Sequence, residues 1–484
     1  MLGKRIRKTV LLMAAAFLTG CAAVKNNTDT AEAENGSIIE ENDESSEAGE
    51  KVGVSDDDKI SEDSEAGNNF TEAAGAPGSM ETEPEPDCEV TESVPGICVN
   101  RLGYITKSDK IAVFYGEELP QEFHVVKADT EEVVFADYLR DKGYNEVQQE
   151  YNGYGDFSEV QESGIYYIEA PILGRSCFFR IGDDLYQDVL KEACSSYDRK
   201  PCDMAVALLA YELNPDVFTD DTGISESGNE VPDILDEIRY ETEQMLQMQD
   251  EETGAVSADM NGEEEREEAC AMVLAKFSYL YQYYDTEFAT ECLKAADRAW
   301  AYADLRPEGE VQAASKEDGW KLAAAAELYR ASGRQSFHDY ISDYFQEYGY
   351  AAEPELPVLL GYVTYISTRQ PVELSFCKEI TRALTESADE AAEGAEDLLM
   401  ENQEGSIDGN CRELLEDSMY LILVNHMITS REYEIVAENI LHYLMGRNVQ
   451  SVSCIGDVEK NDCRMILLLS EVLSWQKEHD SRAE

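Results

Sequence analysis

Three kinds of hydrophobic patterning follow one another along the chain. Residues 22–95 contain very few large apolar side chains. Between residues 96 and 182, short runs rich in Val, Ile, Phe and Tyr are separated by Gly, Pro, Asp and Ser. Such runs are typical of strands, and about six of them predict a small all-β sandwich. From residue 183 to residue 480, apolar residues recur at spacings of three and four, which predicts an all-α domain.

The helical pattern divides into about twelve segments, a number that bears on the architecture. Several segments, such as DSMYLILVNHM and CRMILLLSEVL, are apolar on more than one face. Helices of this kind are buried on two sides, so they predict an inner layer surrounded by an outer one. About twelve helices, paired through short loops, favour an (α/α)6 barrel over a bundle. Periodicity alone leaves a helical solenoid open as an alternative.

The stretch from residue 22 to residue 95 consists largely of Glu, Asp, Ser, Gly, Ala and Thr. It cannot bury enough apolar surface to offset the entropy lost on ordering, so we expect a disordered acidic tether. The formal net charge of the whole chain is -64. Such a charge argues against nucleic acid and anionic lipid head groups as partners.

The first 21 residues have the order of a secretory signal. A basic stretch, a short apolar run and small residues precede Cys21, and the apolar run is too short to span a bilayer. The sequence LTGC resembles the lipobox of bacterial lipoproteins, which implies lipidation of Cys21. We therefore expect a protein anchored to the bacterial cell membrane by lipid alone, on the extracellular face. An ordinary signal peptide is the alternative.

The cysteine spacing predicts neither a metal site nor a cofactor. The chain has twelve cysteines, and Cys194 and Cys202 are separated by seven residues, unlike the closely spaced pairs that hold zinc. Export permits disulfides, but the spacing does not indicate their pairing. Four other cysteines lie in helical patterns and are predicted to be buried as small apolar side chains: Cys270, Cys292, Cys377 and Cys463.

Five stretches resemble one family. CVNRLGYITKSDKIAVF and SGIYYIEAPILGRSCFFRIGDDLYQDVLKEA are similar to the two ends of the immunoglobulin-like domain that precedes the barrel in one branch of glycoside hydrolase family 9. LLAYELNPDVFTDDTGISESGNEVPDILDEIRYETEQMLQMQD resembles an early helical pair of that barrel. DGWKLAAAAELYRASG and YEIVAENILHYLMGRN resemble later barrel helices. The resemblance runs from about Ile97 to the C-terminus and implies an immunoglobulin-like sandwich followed by an (α/α)6 barrel.

The resemblance also implies a cellulase-like hydrolase that cleaves β-1,4-glucans with inversion. This chemistry uses a protonated acid and an ionised base roughly 6.5–9.5 Å apart. In the family, the base comes from an Asp-Ala-Gly-Asp loop before the helix that reads AVALLAYEL here. The acid is a glutamate in an Asn-Glu context before the last helix, and a loop with His and Arg holds the sugar.

The chain departs from the family at each of these loops. Only CSSYDRKPC precedes the AVALLAYEL helix, and no Asp-Ala-Gly-Asp occurs in the chain. VQSVSCIGDVEKNDC leads directly to the last helix, and SADMNGEEEREEA replaces a third cleft segment. The packing motifs are retained, whereas the altered loops (194–203, 254–268 and 449–463) belong to one rim, where a barrel builds its cleft. The sequence therefore predicts a catalytically degenerate barrel.

Four carboxylates lie near the positions of the family's acid and base. Asp457 and Glu459 fall within two positions of the acid, with a solvated turn or a helix N-cap as the structural alternative. Asp198 lies in the loop of the base, where a surface ion pair with its basic neighbours is the alternative. Asp203 is predicted to cap the following helix or to face its first turn.

Aromatic residues are the remaining candidates for sugar binding. Trp300, Trp320 and Trp475 lie within helical periods and are predicted to pack in the core. The segment YNGYGDF, residues 151–157, is predicted to lie in a loop of the sandwich. It forms either a hairpin or turn stabilised by its aromatics, or a small glycan platform.

Three functions follow from these patterns. The leading hypothesis is a surface lipoprotein with a degenerate family 9 barrel, retained for binding β-glucan or another glycan, or for interaction with a protein. The first alternative is an active inverting endoglucanase-like hydrolase with relocated carboxylates. The second alternative is a non-enzymatic scaffold whose tether spaces the folded domains from the membrane.

Overall fold

The structure of the protein is a computed structural model. It describes residues 96–146, 149–256, 267–305, 314–351, 353–400, 407–454 and 462–483. Within them, ten β-strands precede twelve α-helices and one short 3-10 helix. The predicted signal segment with Cys21, the predicted tether, and the candidates Asp457 and Glu459 lie outside the described residues.

The strands form two packed sheets. Their bounds are β1 Ile97–Cys98, β2 Gly103–Tyr104, β3 Ile111–Gly116, β4 Glu122–Lys127, β5 Glu132–Tyr138, β6 Arg140–Asn145, β7 Glu150–Asp156, β8 Gly164–Ala170, β9 Gly174–Arg175 and β10 Phe179–Ile181. One sheet has the order β1-β3-β7-β6, and the other has the order β2-β10-β8-β4-β5, with β9 beside β8. Side chains such as Phe114, Phe123 and Phe179 fill the space between the sheets, as the predicted sandwich requires.

The predicted loop at residues 151–157 is wrong, because residues 150–156 form strand β7. It pairs with β3 on one side and β6 on the other. Glycines at alternate positions concealed the strand pattern. A Cβ atom on Gly155 would lie 2.6 Å from the Phe123 ring, so the glycine permits close packing of the two sheets. In the β6–β7 hairpin, the rings of Tyr144 and Tyr151 lie 5.2 Å apart in an edge-to-face arrangement.

The helices alternate between buried and amphipathic along the chain. Their bounds are α1 Leu185–Ser196, α2 Pro201–Leu213, α3 Asp233–Met248, α4 Glu267–Tyr281, α5 Thr286–Leu305, α6 Ala314–Ser332, α7 Gln335–Tyr348, α8 Leu356–Ser367, α9 Leu374–Met400, α10 Ile407–Met427, α11 Arg431–Leu444 and α12 Arg464–Ala483. The even-numbered helices carry long uninterrupted runs of buried side chains. The odd-numbered helices bury mainly one face, except α11, which the sandwich also covers.

The even-numbered helices form the inner layer. Successive inner helices from α2 to α8 contact each other, α10 contacts α12, and α12 returns to α2. Twelve helices in two layers, with an immunoglobulin-like sandwich before them, confirm the predicted (α/α)6 architecture.

A buried ionic network joins four inner helices near their C-terminal ends. Lys276 of α4 lies 2.7 Å from a carboxylate oxygen of Glu212 on α2 and 3.3 Å from one of Glu327 on α6. Arg330 of α6 also pairs with Glu212, and Thr364 of α8 donates to Glu327. Burial favours the neutral form of Glu212, but the two cations outweigh burial and lower its pKa to about 2. Each charge of the network lies beside an opposite charge, which avoids the large penalty of an isolated buried charge.

The sandwich is fixed to the helical domain through Asn100. Its side-chain amide lies 3.0 Å from the Tyr186 hydroxyl of α1 and 3.0 Å from Nδ1 of His442 on α11. The Tyr104 ring packs on the His442 ring, with 4.7 Å between centroids. Arg101 donates its backbone N–H to the Met445 carbonyl at 2.9 Å. These contacts tie the β1–β2 turn to α1 and α11.

Glu438 of α11 is a carboxyl group buried at this interface. It is 7% exposed, and its Oε2 has no hydrogen-bond partner among the described residues. Burial raises its pKa to about 7, with Asp109 and Glu434 adding to the rise while Arg431 and Lys110 oppose it. The interface therefore keeps about half of Glu438 protonated at neutral pH.

We predict that Glu438 makes the folded state less stable as pH rises. Its pKa of about 7 in the folded state lies above the ordinary value of 4.5, so the stabilisation present below pH 4.5 is lost between pH 4.5 and pH 7. This group alone should lower the free energy of unfolding by about 3 kcal/mol over that range. Glu438→Gln keeps a neutral side chain and should abolish this part of the pH dependence.

Urea unfolding at pH 5 and pH 8 measures the effect. Glu432, exposed on the same helix, provides the matched control, because Glu432→Gln should retain the wild-type difference between the two pH values. If the free energy of unfolding of Glu438→Gln changed between pH 5 and pH 8 by as much as that of the wild type, the interface described above would be contradicted.

Candidate active-site rim

The rim brings together the starts of the first and last inner helices. We define it by its described residues 194–203, 254–256, 267–268, 449–454 and 462–463. The thiol of Cys463, directly before α12, donates to Oδ1 of Asp203 on α2 at 3.2 Å. The residues that follow the base and acid loops of the family resemblance are therefore in direct contact.

Asp203 is the third residue of α2 and lies in its first turn. The predicted first-turn position is confirmed, whereas Lys200 occupies the N-cap position and no side chain caps the helix. Burial raises the pKa of Asp203, and the neighbouring Asp198 and Asp462 raise it further, against the hydrogen bond from Cys463. The carboxyl group is thus half-buried against a thiol.

Asp198 lies on the short connection between α1 and α2. Its side chain is 52% exposed and lies 4.0 Å from the Lys200 ammonium, which agrees with the predicted surface ion pair. Arg199 instead pairs with Glu237 at 3.0 Å and with Glu241 at 3.5 Å, both on α3. Arg199 therefore fixes the α1–α2 connection to the outer layer.

Asp462 and Arg464 occupy the start of α12. Nε of Arg464 lies 2.9 Å from Oδ1 of Asp462, and Nη2 lies 2.5 Å from Oδ2. Arg464 also lies 4.0 Å from Glu416 on α10. The carboxylate of Asp462 is therefore held by a two-point ion pair.

Asp417 on α10 has a property of a catalytic acid. Burial raises its pKa to about 7, and Glu413, Glu416 and Glu353 raise it further. A carboxyl group that is partly protonated near pH 7 can act as a general acid. The sequence gives one signal for it, an aspartate next to the long apolar run of α10, in LLEDSMYLILV.

The surroundings of the described cysteines and tryptophans indicate roles in packing and cross-linking. Cys411 of α10 forms a disulfide with Cys454, which follows α11. Of the four cysteines predicted to be buried in helices, Cys377 is only half-buried, and Cys463 precedes its helix because α12 begins at Arg464. The tryptophans pack as predicted: Trp300 against Phe337 and Tyr340, Trp320 on the barrel core and Trp475 within it.

Three further observations concern the described residues. Among the described residues, no three or more His, Cys, Asp or Glu side chains are arranged to hold a metal ion. No helix in the described ranges is long and apolar enough to cross a membrane. A cavity of about 280 Å³ lies between α1, the 217–224 segment and α3, and Asp198 and Asp203 are absent from its lining.

The comparisons with known proteins agree with this architecture. Residues 201–467 match glycosyl hydrolase family 9, and residues 92–175 match the cellulase N-terminal ig-like domain. Endoglucanase D of Acetivibrio thermocellus is 21% identical over 456 residues, which cover 74% of this chain and 72% of that protein.

Solved structures share the fold. A metagenome-derived glycoside hydrolase family 9 endoglucanase superposes with a TM-score of 0.64 at 23% identity, covering 75% of this chain and 86% of that one. The Bacteroides ovatus GH9 structure gives a TM-score of 0.65 at 17% identity, covering 78% of this chain and 99% of that one. With the family match extending from the first residue of α2 into α12, the chain belongs to glycosyl hydrolase family 9.

Proposed function

We propose that this protein is a surface lipoprotein whose family 9 barrel has lost its hydrolytic centre and is retained to bind a glycan or a protein partner. The contact between Asp203 and Cys463 carries the proposal. It joins the starts of α2 and α12 at 3.2 Å, where an inverting hydrolase needs room for a sugar and a water between two carboxyl groups.

The carboxyl groups at this junction are already engaged. Asp203 accepts a hydrogen bond from a thiol, and Asp462 is bound by Arg464. A general base must accept a proton from water within hydrogen-bond distance. The observed partners compete with that water at both residues, which supports a loss of hydrolysis.

The extent of the family match supports the same conclusion. The match begins at Pro201, the first residue of α2, so it excludes the α1–α2 connection where the base loop would precede the helix. The Asp-Ala-Gly-Asp sequence is absent from the whole chain. The match includes the helices that pack the barrel, and a scaffold can persist without its original site.

Exposed tyrosines on the sandwich support a role in glycan binding. Tyr138 is 70% exposed, Tyr144 is 49% exposed and Tyr151 is 40% exposed. Aromatic rings offer flat apolar surfaces with a polar hydroxyl, which suit the apolar faces of β-linked glucose units. Family membership favours a β-1,4-glucan as the ligand.

We predict that the purified chain does not hydrolyse carboxymethyl cellulose, mixed-linkage β-glucan or cellohexaose. A reducing-end assay, with endoglucanase D of Acetivibrio thermocellus as the active control, should show no release above buffer. Asp203→Asn should give the same result as the wild type. Turnover that disappears when one named carboxylate is replaced would contradict the proposal.

An active hydrolase with relocated carboxylates is the second candidate function, and the raised pKa of Asp417 favours it. If that function were correct, the wild type would release reducing ends, and Asp417→Asn, Asp457→Asn or Glu459→Gln would lower kcat by orders of magnitude while Tm stayed within about 2 °C. Under the leading proposal, all three variants match an inactive wild type.

The lipid anchor is a separate part of the proposal. Cys21 follows Leu18, Thr19 and Gly20 at the end of a short apolar run. Cells fed radiolabelled palmitate should yield labelled wild-type protein and unlabelled Cys21→Ser. Equal labelling of both would remove the anchor from the proposal.

Binding distinguishes a glycan-binding role from a pure scaffold. A glycan array probed with the purified chain should show binding to β-glucan, reduced in the Tyr144→Ala variant. Absence of binding to any polysaccharide, together with a protein recovered specifically with the chain, would favour the scaffold instead.

A further inference from the structure

Two cysteines meet at the rim although they are far apart in the chain. Cys202 is the second residue of α2, and Cys463 directly precedes α12. The Cys463 thiol donates to Asp203, the residue next to Cys202, at 3.2 Å. Helices α2 and α12 also pack against each other, so their first turns are held side by side.

Both thiols lie near the same carboxyl group. Burial raises the pKa of each thiol, the Asp203 carboxylate raises it further, and Cys202 adds to the rise at Cys463. Sulfur atoms that share one small partner are close, and rotation between staggered positions about the Cα–Cβ bond moves a sulfur by about 3 Å. A disulfide requires Cα atoms about 4.4–6.8 Å apart, so the proposal requires the first turns of α2 and α12 to approach this closely at Cys202 and Cys463.

The same part of the fold already contains one disulfide. Cys454 is bonded to Cys411 on α10, and Cys463 is nine positions further along the chain. The connection from α11 to α12, residues 445–463, thus has one cysteine at its middle and one at its end. One of them is cross-linked to an inner helix, and the other lies at the start of a different inner helix, α2.

We propose that Cys202 and Cys463 are a site of oxidative modification and form a second disulfide when the chain meets a disulfide oxidant, R–S–S–R. This bond would join the first and last inner helices covalently at the rim. The inference is independent of the proposed function, because it concerns the thiols alone and holds for an active or an inactive barrel.

The reaction proceeds by two thiol–disulfide exchanges. Cys202 is the more exposed thiol, so it reacts first. It loses its proton and attacks one sulfur of R–S–S–R. The R–S⁻ that leaves takes up the proton and becomes RSH. Cys463 then loses its proton and attacks the Cys202 sulfur of the mixed disulfide, which releases the second RSH. Two protein thiols are oxidised, and one R–S–S–R is reduced to two RSH.

Burial makes the resulting bond slow to reduce. It raises the pKa of Cys202 to about 12 and that of Cys463 well above its ordinary value. A thiol with a high pKa is a poor leaving group when a disulfide is attacked. The second disulfide should therefore persist once it has formed.

Peptide mapping of the full chain tests the proposal. The protein is incubated with oxidised glutathione, denatured, alkylated without reduction, digested and analysed by mass spectrometry. We expect a peptide pair linked through Cys202 and Cys463, in addition to the Cys411–Cys454 pair. The proposal would be overturned by alkylation of both cysteines, by separate glutathione adducts on them, or by linkage of Cys463 to Cys194. This measurement needs no variant.

Thermal unfolding of oxidised and reduced protein provides a second readout. Joining α2 to α12 restricts the unfolded chain, so oxidation should raise the Tm of the wild type by about 5 °C. The increase should disappear in Cys202→Ser and persist in Cys377→Ser, whose cysteine lies on α9. An equal increase in Cys202→Ser would contradict the assignment.

Discussion

The packing of α12 against α2 is the interaction on which the rest of the structure depends, because it closes the ring of inner helices. Near the C-terminal ends of α2 and α10, Glu471 of α12 accepts a hydrogen bond from Asn214 at 2.7 Å and lies 2.9 Å from Nε2 of His426 on α10. At the other end, Cys463 donates to Asp203. The buried groups Asn214 and Glu471 are thus paired with each other, as most buried polar groups in proteins are.

The ring also positions the sandwich and the rim. Helix α11 packs on α12 and carries His442 and Glu438 toward the sandwich, while α1 contacts α12 and leads into α2. The domain interface and the rim are thus built on neighbouring elements. The packing residues resemble the family along most of the chain, whereas the altered segments are surface connections, whose length contributes little to the stability of a packed core.

The sequence was sufficient to predict the fold because its strongest signals are local. A helix buried on several faces, as in the even-numbered helices, leaves an uninterrupted apolar run that periodicity detects. Strands β6 and β7 escaped detection because Gly143, Gly153 and Gly155 interrupt the alternation of apolar residues. Strand β7 also pairs with β3, which lies far away in sequence.

The chemistry of the rim depends on tertiary contacts and could be predicted only in part. The absence of an Asp-Ala-Gly-Asp sequence is visible in the chain, and so is the position of Asp203 in a first turn. The partner of Asp203, the burial that raises the pKa of Asp417 and the Cys411–Cys454 pairing all depend on how segments of the chain pack together. No periodicity or spacing rule contains that information.

A crystal structure of the full chain grown with cellohexaose tests the central claim, that the scaffold persists while the hydrolytic centre is lost. The account predicts that Cys463 remains in contact with Asp203 and that any bound oligosaccharide is intact and lies outside the junction of α2 and α12. Cleaved or distorted sugar at that junction, between two facing carboxyl groups roughly 6.5–9.5 Å apart, would contradict it.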